Sequence, residues 1–166
     1  MDAVLDILRA TRLSGGIVLE AEFTAPWCVT SQMGPEDCAP LAAEPANIIA
    51  YHYISTGRVA VEIEGHPSII ASAGELVVLP RNDPHRLGSS LELPAVSAQT
   101  LIQPAPDGGM ARIVYGGGGE PSRIFCGFLG TETPNDPLLR ILPPVLKVDF
   151  AASAAATWIE IGRAHV

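Results

Sequence analysis

An all-β barrel with short helices at both ends is the fold class this sequence predicts. Three observations carry it. Short apolar stretches recur along the 166 residues, and several alternate with polar positions at the period of a strand. The chain holds 15 Pro and 16 Gly, so turns are frequent and long helices few. The apolar share of 48% is enough for a single substantial core, and the length suits one domain.

The elements follow in order. Residues 2–13 place Val4, Leu5 and Leu8 at helical spacing behind Asp2 as a cap, which predicts an amphipathic helix. Ser14-Gly15-Gly16 is expected to end it. Residues 17–23 form a strand with Glu20 and Glu22 on one face. Residues 26–45 hold Ser, Gly, Asp, Glu and several Pro, and read as a loop. A strand is expected over 48–54. Val59, Val61 and Ile63 alternate with Ala60, Glu62 and Glu64 in the next strand. The turn at 64–67 sends the chain back through 69–72.

Residues 74–85 are the most specific stretch. A Gly opens a short apolar run, and Pro80 closes it because Pro cannot donate to a ladder. Asn82-Asp83-Pro84 is a turn signal that delivers His85 just beyond it. Residues 88–110 look irregular, and 111–115 are a strand. Gly116 to Gly119 reads as a flexible turn. It lacks both a following helix and the Gly-Lys-Ser/Thr of a phosphate loop. Residues 122–129 are a strand with Ile124, Cys126 and Phe128 on one face. Asp136-Pro137 starts a short helix over 138–142, which Pro143-Pro144 stops.

Charge and cysteine usage exclude several functions. A net charge of −8 with no basic cluster makes the chain by itself a poor nucleic-acid binder. No apolar run approaches membrane length, and Asp2, Asp6 and Arg9 interrupt any secretory signal. Three Cys without CxxC spacing predict free thiols and a cytoplasmic location. Cys28 and Cys38, in the Pro-rich segment, are expected to be exposed and open to oxidation.

Gly74, Pro80 and His85 stand at the spacing of the second motif of the cupins, which this stretch resembles; Asn82 takes the place of the turn Gly. The resemblance implies a cupin-like double-stranded β-barrel of jelly-roll type. Many cupins ligate a metal through two His and a Glu of a first motif and the His of the second. Counted back from Gly57, the Glu position here is Ala50. The His positions are Ala46 and Glu44, or Pro45 and Ala43 in the longer variant. Three of the four ligands are absent in either register, which disfavours the usual metal-dependent dioxygenase or isomerase.

An unconventional site is still available. His52 lies mid-strand on the face of Ile48, Ala50 and Ile54, Cys126 shares an apolar face, and His85 follows the motif turn. These three residues are the candidate ligand-binding or sensing site. Two imidazoles and a thiolate also suit Zn or another soft metal, if any metal binds. The alternative makes His52 and His85 core or rim histidines and Cys126 a small hydrophobe. Tyr51 and Tyr53 are further pocket candidates, although alternation points them away from His52. No catalytic residue is assigned, and the cofactor is left unknown.

The blocks IIAYHYISTGRVAVEIEG, ASAGELVVLPRNDPHRLGSS, GGGGEPSRIFCGFLG and PLLRILPPVLKV together resemble the N-terminal cupin domain of AraC-type transcription regulators. The likeness covers residues 1–160. It implies a sensor of a small-molecule or oxidant effector that forms a homodimer, is no enzyme, and stays off membranes. DNA would be bound only through a C-terminal helix-turn-helix domain absent from this chain. The organisation then reads as an N-terminal helix (1–16), a sensor barrel (17–130) and a helical, Pro-rich segment leading toward the missing domain (131–160). Residues 161–166 read as a non-native tail. A stand-alone small cupin enzyme or metal-binding cupin is the other reading.

Overall fold

The computed structural model describes residues 13–39 and 45–150, and the fold is stated for these. Of the N-terminal helix expected over 2–13, only Leu13 is described, and it opens a strand; the rest of that helix and the chain from 151 onward, including the 161–166 tail, lie outside the described residues. Eleven strands are arranged in two sheets: β1 (Leu13–Thr24), β2 (Cys28–Ser31), β3 (Asn47–Thr56), β4 (Arg58–Ile63), β5 (Ile69–Ser72), β6 (Glu75–Leu79), β7 (His85–Gly88), β8 (Val96–Ser97), β9 (Ala111–Gly116), β10 (Pro121–Thr131) and β11 (Leu146–Asp149). Two short helices join them, α1 (Pro35–Cys38) and α2 (Pro137–Ile141). The six-stranded sheet runs β11-β6-β3-β10-β1-β9, and the five-stranded sheet runs β5-β4-β7-β2-β8. The all-β expectation and most strand positions hold.

The core lies between the sheets. Strand alternation aims Ala50, His52 and Ile54 of β3 inward, in register with Phe128, Cys126 and Ile124 of β10. From the other sheet Val59, Val61 and Leu87 face them, all nearly fully buried. Outward on the β1, β9 and β10 surface, Glu20 and Glu22 meet Arg123 at 3.5 and 2.9 Å, and Arg112 reaches Glu22 at 3.5 Å. Such cross-strand charge pairs align neighbouring strands while contributing little stability at the surface.

Several local expectations need correction. Ser14-Gly15-Gly16 is not a break in the chain but lies near the start of β1 and pairs with Phe128 to Gly130 of β10. Gly15 is needed there because its φ is +136°, and a Cβ would fall 2.1 Å from the Phe128 carbonyl oxygen. The segment 26–45 is not simply a loop, since it contains β2 and α1. A four-residue strand is too short to display alternation, so its Pro-rich flanks dominate the sequence signal. Cys28 and Cys38 are accordingly buried rather than exposed, at 2% and 0%. The Cys38 thiol lies 3.7 Å from the Gly34 carbonyl, and an Arg86 nitrogen lies 3.6 Å from the Cys28 sulfur. The barrel also extends past residue 130, because β11 pairs with β6 at the edge of the large sheet.

The Gly116 to Gly119 turn is tied down. Gly117 and Gly119 donate to the carbonyls of Thr24 and Ala25 at 2.9 and 2.8 Å, and Gly118 donates to the Thr24 hydroxyl at 2.9 Å. Those N–H groups are spent internally, which leaves no cradle for a phosphate.

The motif turn explains its own departure from Gly. Asn82 sits at φ +52°, in the left-handed region that Asn tolerates better than other side-chain-bearing residues. Its side-chain oxygen accepts from the Met33 amide at 3.0 Å, and its amide nitrogen donates to the Met33 carbonyl at 2.7 Å. Gly would satisfy the backbone but could not hold the segment after β2. Asn82→Gly is therefore expected to lose about 1–3 kcal/mol, at roughly 0.5–1.5 kcal/mol per bond. Asn82→Ala should lose more, because Ala also resists positive φ. Urea unfolding of both variants checks the order.

Candidate functional site

His52, Cys126 and His85 come together where the two sheets face each other. Cys126 is the direct cross-strand neighbour of His52. His85 opens β7 in the opposite sheet, in register with Ile63 and Ser31. The Asn82 turn aims it across the core. His52 Nδ1 lies 3.0 Å from Cys126 Sγ, His52 Nε2 lies 2.7 Å from His85 Nε2, and His85 Nδ1 lies 2.9 Å from the Asp83 carbonyl oxygen. His52 and His85 are each 3% exposed, and Cys126 is 6% exposed.

The order of protons along this chain follows from its last member. A carbonyl oxygen only accepts, so His85 Nδ1 carries hydrogen and donates to Asp83. In the neutral ring His85 Nε2 is then an acceptor, and His52 Nε2 must donate to it. His52 Nδ1 in turn accepts, and the Cys126 thiol donates to it. Each contact has one donor and one acceptor when all three groups are neutral.

Burial favours that neutral state. It holds His52 well below the ordinary histidine range, and the neighbouring His85 pushes in the same direction. Burial also lowers His85, opposed by the hydrogen bond to the Asp83 carbonyl and by the Asp83 charge. It pushes the Cys126 thiol up to about 12. Of the three groups, His85 alone has neighbours that favour a proton, so the chain has a direction, from Cys126 toward His85.

The arrangement does not fit a metal ion. A tetrahedral ion with bonds of about 2.0–2.3 Å keeps its ligand atoms more than about 3 Å apart. The two imidazole nitrogens are at direct hydrogen-bond distance instead. His52 sits between its partners, with one nitrogen turned to each, so the three donors form a line rather than a convergent set. No group of three or more His, Cys, Asp or Glu able to hold a metal occurs among the described residues. The three residues named as conditional metal ligands, His52, His85 and Cys126, are hydrogen-bonded to one another instead. Ala50, at the first-motif Glu position, is on the inner face and offers no ligand.

His52 and Cys126 form part of the wall of a cavity of about 230 Å³. Leu19, Phe23 and Ile113 line it from the large sheet, and Val29 and Leu87 from the small one. A bulge in β1 between Ile17 and Leu19, beside Cys126, gives both Val18 and Leu19 to the wall. At its rim are Gln32, Glu36, Asp37 and Gln99, with Gln99 donating to Asp37 at 3.1 Å. Tyr51 and Tyr53 are absent from the lining, as alternation requires. Burial, with a smaller contribution from Cys126, raises the Tyr51 hydroxyl above its usual range.

Sequence reasoning identified the three polar residues but missed this rim. Glu36, Asp37 and Gln99 belong to short elements in stretches read as loop or irregular, and no spacing ties them to β3. Among the described residues no helix is long and apolar enough to cross a membrane. A family profile described as Cupin matches residues 2–161. None of the curated proteins matches the chain.

Proposed function

Because the chain belongs to the cupin family, we propose that it is the effector-sensing and dimerisation domain of an AraC-type transcription regulator rather than an enzyme. The supporting observation is the apolar cavity between the sheets, whose wall carries His52 and Cys126 without a convergent set of metal donors among the described residues. The resemblance of the sequence blocks to such regulators points the same way.

The cavity indicates the class of effector. An apolar cavity of about 150 Å³ accommodates benzene, so about 230 Å³ takes one ring with a short substituent. Glu36 and Asp37 at the rim disfavour anions, in a chain of net charge −8. A small neutral, largely apolar molecule is the best fit. Touching Leu19 and Ile113 on one side and Val29 and Leu87 on the other, it would favour one spacing of the two sheets. The equilibrium would shift by the difference in its affinity for the two spacings. DNA would be bound by a domain outside this chain, in a cytoplasmic homodimer.

A screen of neutral monocyclic compounds by thermal unfolding tests the reading, with promoter occupancy by the intact regulator as the second readout. A binder at a hundred times its Kd is expected to add about 2.7 kcal/mol of stability. Leu87→Trp, which fills the cavity, should abolish the gain. The isolated chain is expected not to shift promoter DNA at physiological salt. Promoter occupancy that ignores the binder would overturn the regulatory reading, and conversion of the binder to a product would place the chain with the cupin enzymes instead.

A further inference from the structure

A buried thiol that donates to an imidazole, itself backed by a second imidazole, is more than a packed core cysteine. Cys126 and His52 both line the cavity, so a molecule inside it meets a nucleophile and its base together. Cys28 and Cys38 have no such partner: one lies against Arg86, the other against a backbone carbonyl. We propose that Cys126 captures a small neutral α,β-unsaturated carbonyl compound covalently, with His52 and His85 carrying the proton. This deepens the sensing reading by naming the chemistry of the effector, and it rests on the cavity that reading uses.

The step balances without an oxidant or a leaving group. Cys126 Sγ forms a bond to the β-carbon of the bound molecule while the thiol proton passes to His52 Nδ1. The carbon–carbon π pair moves onto the carbonyl oxygen as an enolate. The hydrogen on His52 Nε2 moves to His85 Nε2 across their 2.7 Å contact. The positive charge then rests on His85, beside the Asp83 carbonyl and carboxylate. Reversal of the relay returns a proton to the α-carbon. The product is a thioether, formed by addition of S–H across the double bond, and both rings end neutral. The size and rim of the cavity select the acceptor: one small ring or chain, uncharged.

N-ethylmaleimide is a probe of this class and size. Incubated with the folded chain, it is expected to give one adduct by intact mass, mapped to Cys126 at least tenfold faster than to Cys28 or Cys38. A maleimide bearing a carboxylate should react at least tenfold more slowly. The rate should stay nearly flat between pH 6.5 and 8, because the base is a neutral imidazole throughout. An unassisted thiol with its pKa near 12 would instead speed up about tenfold per pH unit. His85→Gln keeps His52 beside the sulfur but removes the far proton acceptor, and should slow labelling about tenfold. His52→Gln should restore the steep pH dependence, with the melting curve of each variant reporting that it is folded.

Labelling of Cys126 no faster than of Cys38 overturns the proposal. So does a tenfold-per-unit pH dependence in the unmodified sequence, or a rate indifferent to both His substitutions. N-ethylsuccinimide, the saturated analogue, separates capture from sensing. Stabilisation by it without any maleimide adduct ends the capture proposal and leaves the effector reading standing. Rapid, His-dependent adduct formation with no change in promoter occupancy supports capture and removes the regulatory reading.

Discussion

Ile54→Ala is expected to destabilise the protein by about 2–5 kcal/mol, the range for removing a fully buried Ile from a core that cannot close around the gap. Ile54 is 0% exposed, sits on the central strand β3, and faces Ile124, also 0% exposed, across the pair with β10. Both strands are flanked on each side by others, so the backbone has little freedom to collapse into the space. Against a typical total of about 5–15 kcal/mol, this is a large share of the stability. Ile54 is not part of the cavity wall, so binding by the remaining folded protein should be unchanged. Ile70→Ala, at 42% exposure, should stay within about 0.5 kcal/mol. Urea unfolding of both variants makes the comparison. Equal losses would mean that the space between the sheets is not the packed core.

Acidification is expected to produce the second large effect, through the two imidazoles held neutral. Their folded pKa values lie below the ordinary value, so below about pH 6.5 the unfolded chain binds more protons than the folded one. Stability then rises with pH in that window and falls as pH is lowered through it. His52, held the lower of the two, removes about 1.4 kcal/mol for each pH unit below 6.5 for as long as it stays neutral in the fold. His85 adds to the loss until it protonates. Above pH 7 both states are neutral at these positions, and the curve should flatten with respect to them. Unfolding free energies between pH 5 and 8 test this. His52→Gln should reduce the slope even if it lowers stability at every pH. An unchanged slope would show that the ring is not locked neutral.

Much of the barrel was legible because its longer strands announce themselves. Residues 59–63 alternate cleanly, and Gly74 to His85 carries its strand, stop and turn in twelve consecutive residues. The inward face of β3 and β10 followed from the period of two, which put His52, Cys126, Ile54 and Ile124 on the correct side. The errors lie where elements are short. β2, β8 and α1 span four, two and four residues, too few for periodicity to rise above the Pro and Gly around them. The burial of Cys28 and Cys38 was lost with them. Gly15 misled for another reason. Gly serves equally as a terminator and as the residue for close approach of strands, and only the neighbour decides which.

The sequence by itself determined the all-β class, the motif turn, the inward direction of His52 and Cys126 and the absence of the first-motif ligands. Each of these depends on local spacing or on residue identity. The tertiary structure decided how the three candidates meet. His52 and Cys126 are 74 positions apart, and His52 and His85 are 33 apart and in different sheets. Strand alternation states which way a side chain points but not what it meets, because pairing and sheet packing are long-range. The orientation of the His52 ring separates a convergent metal site from a linear proton relay, and its contacts with Cys126 on the neighbouring strand and His85 in the other sheet hold that orientation.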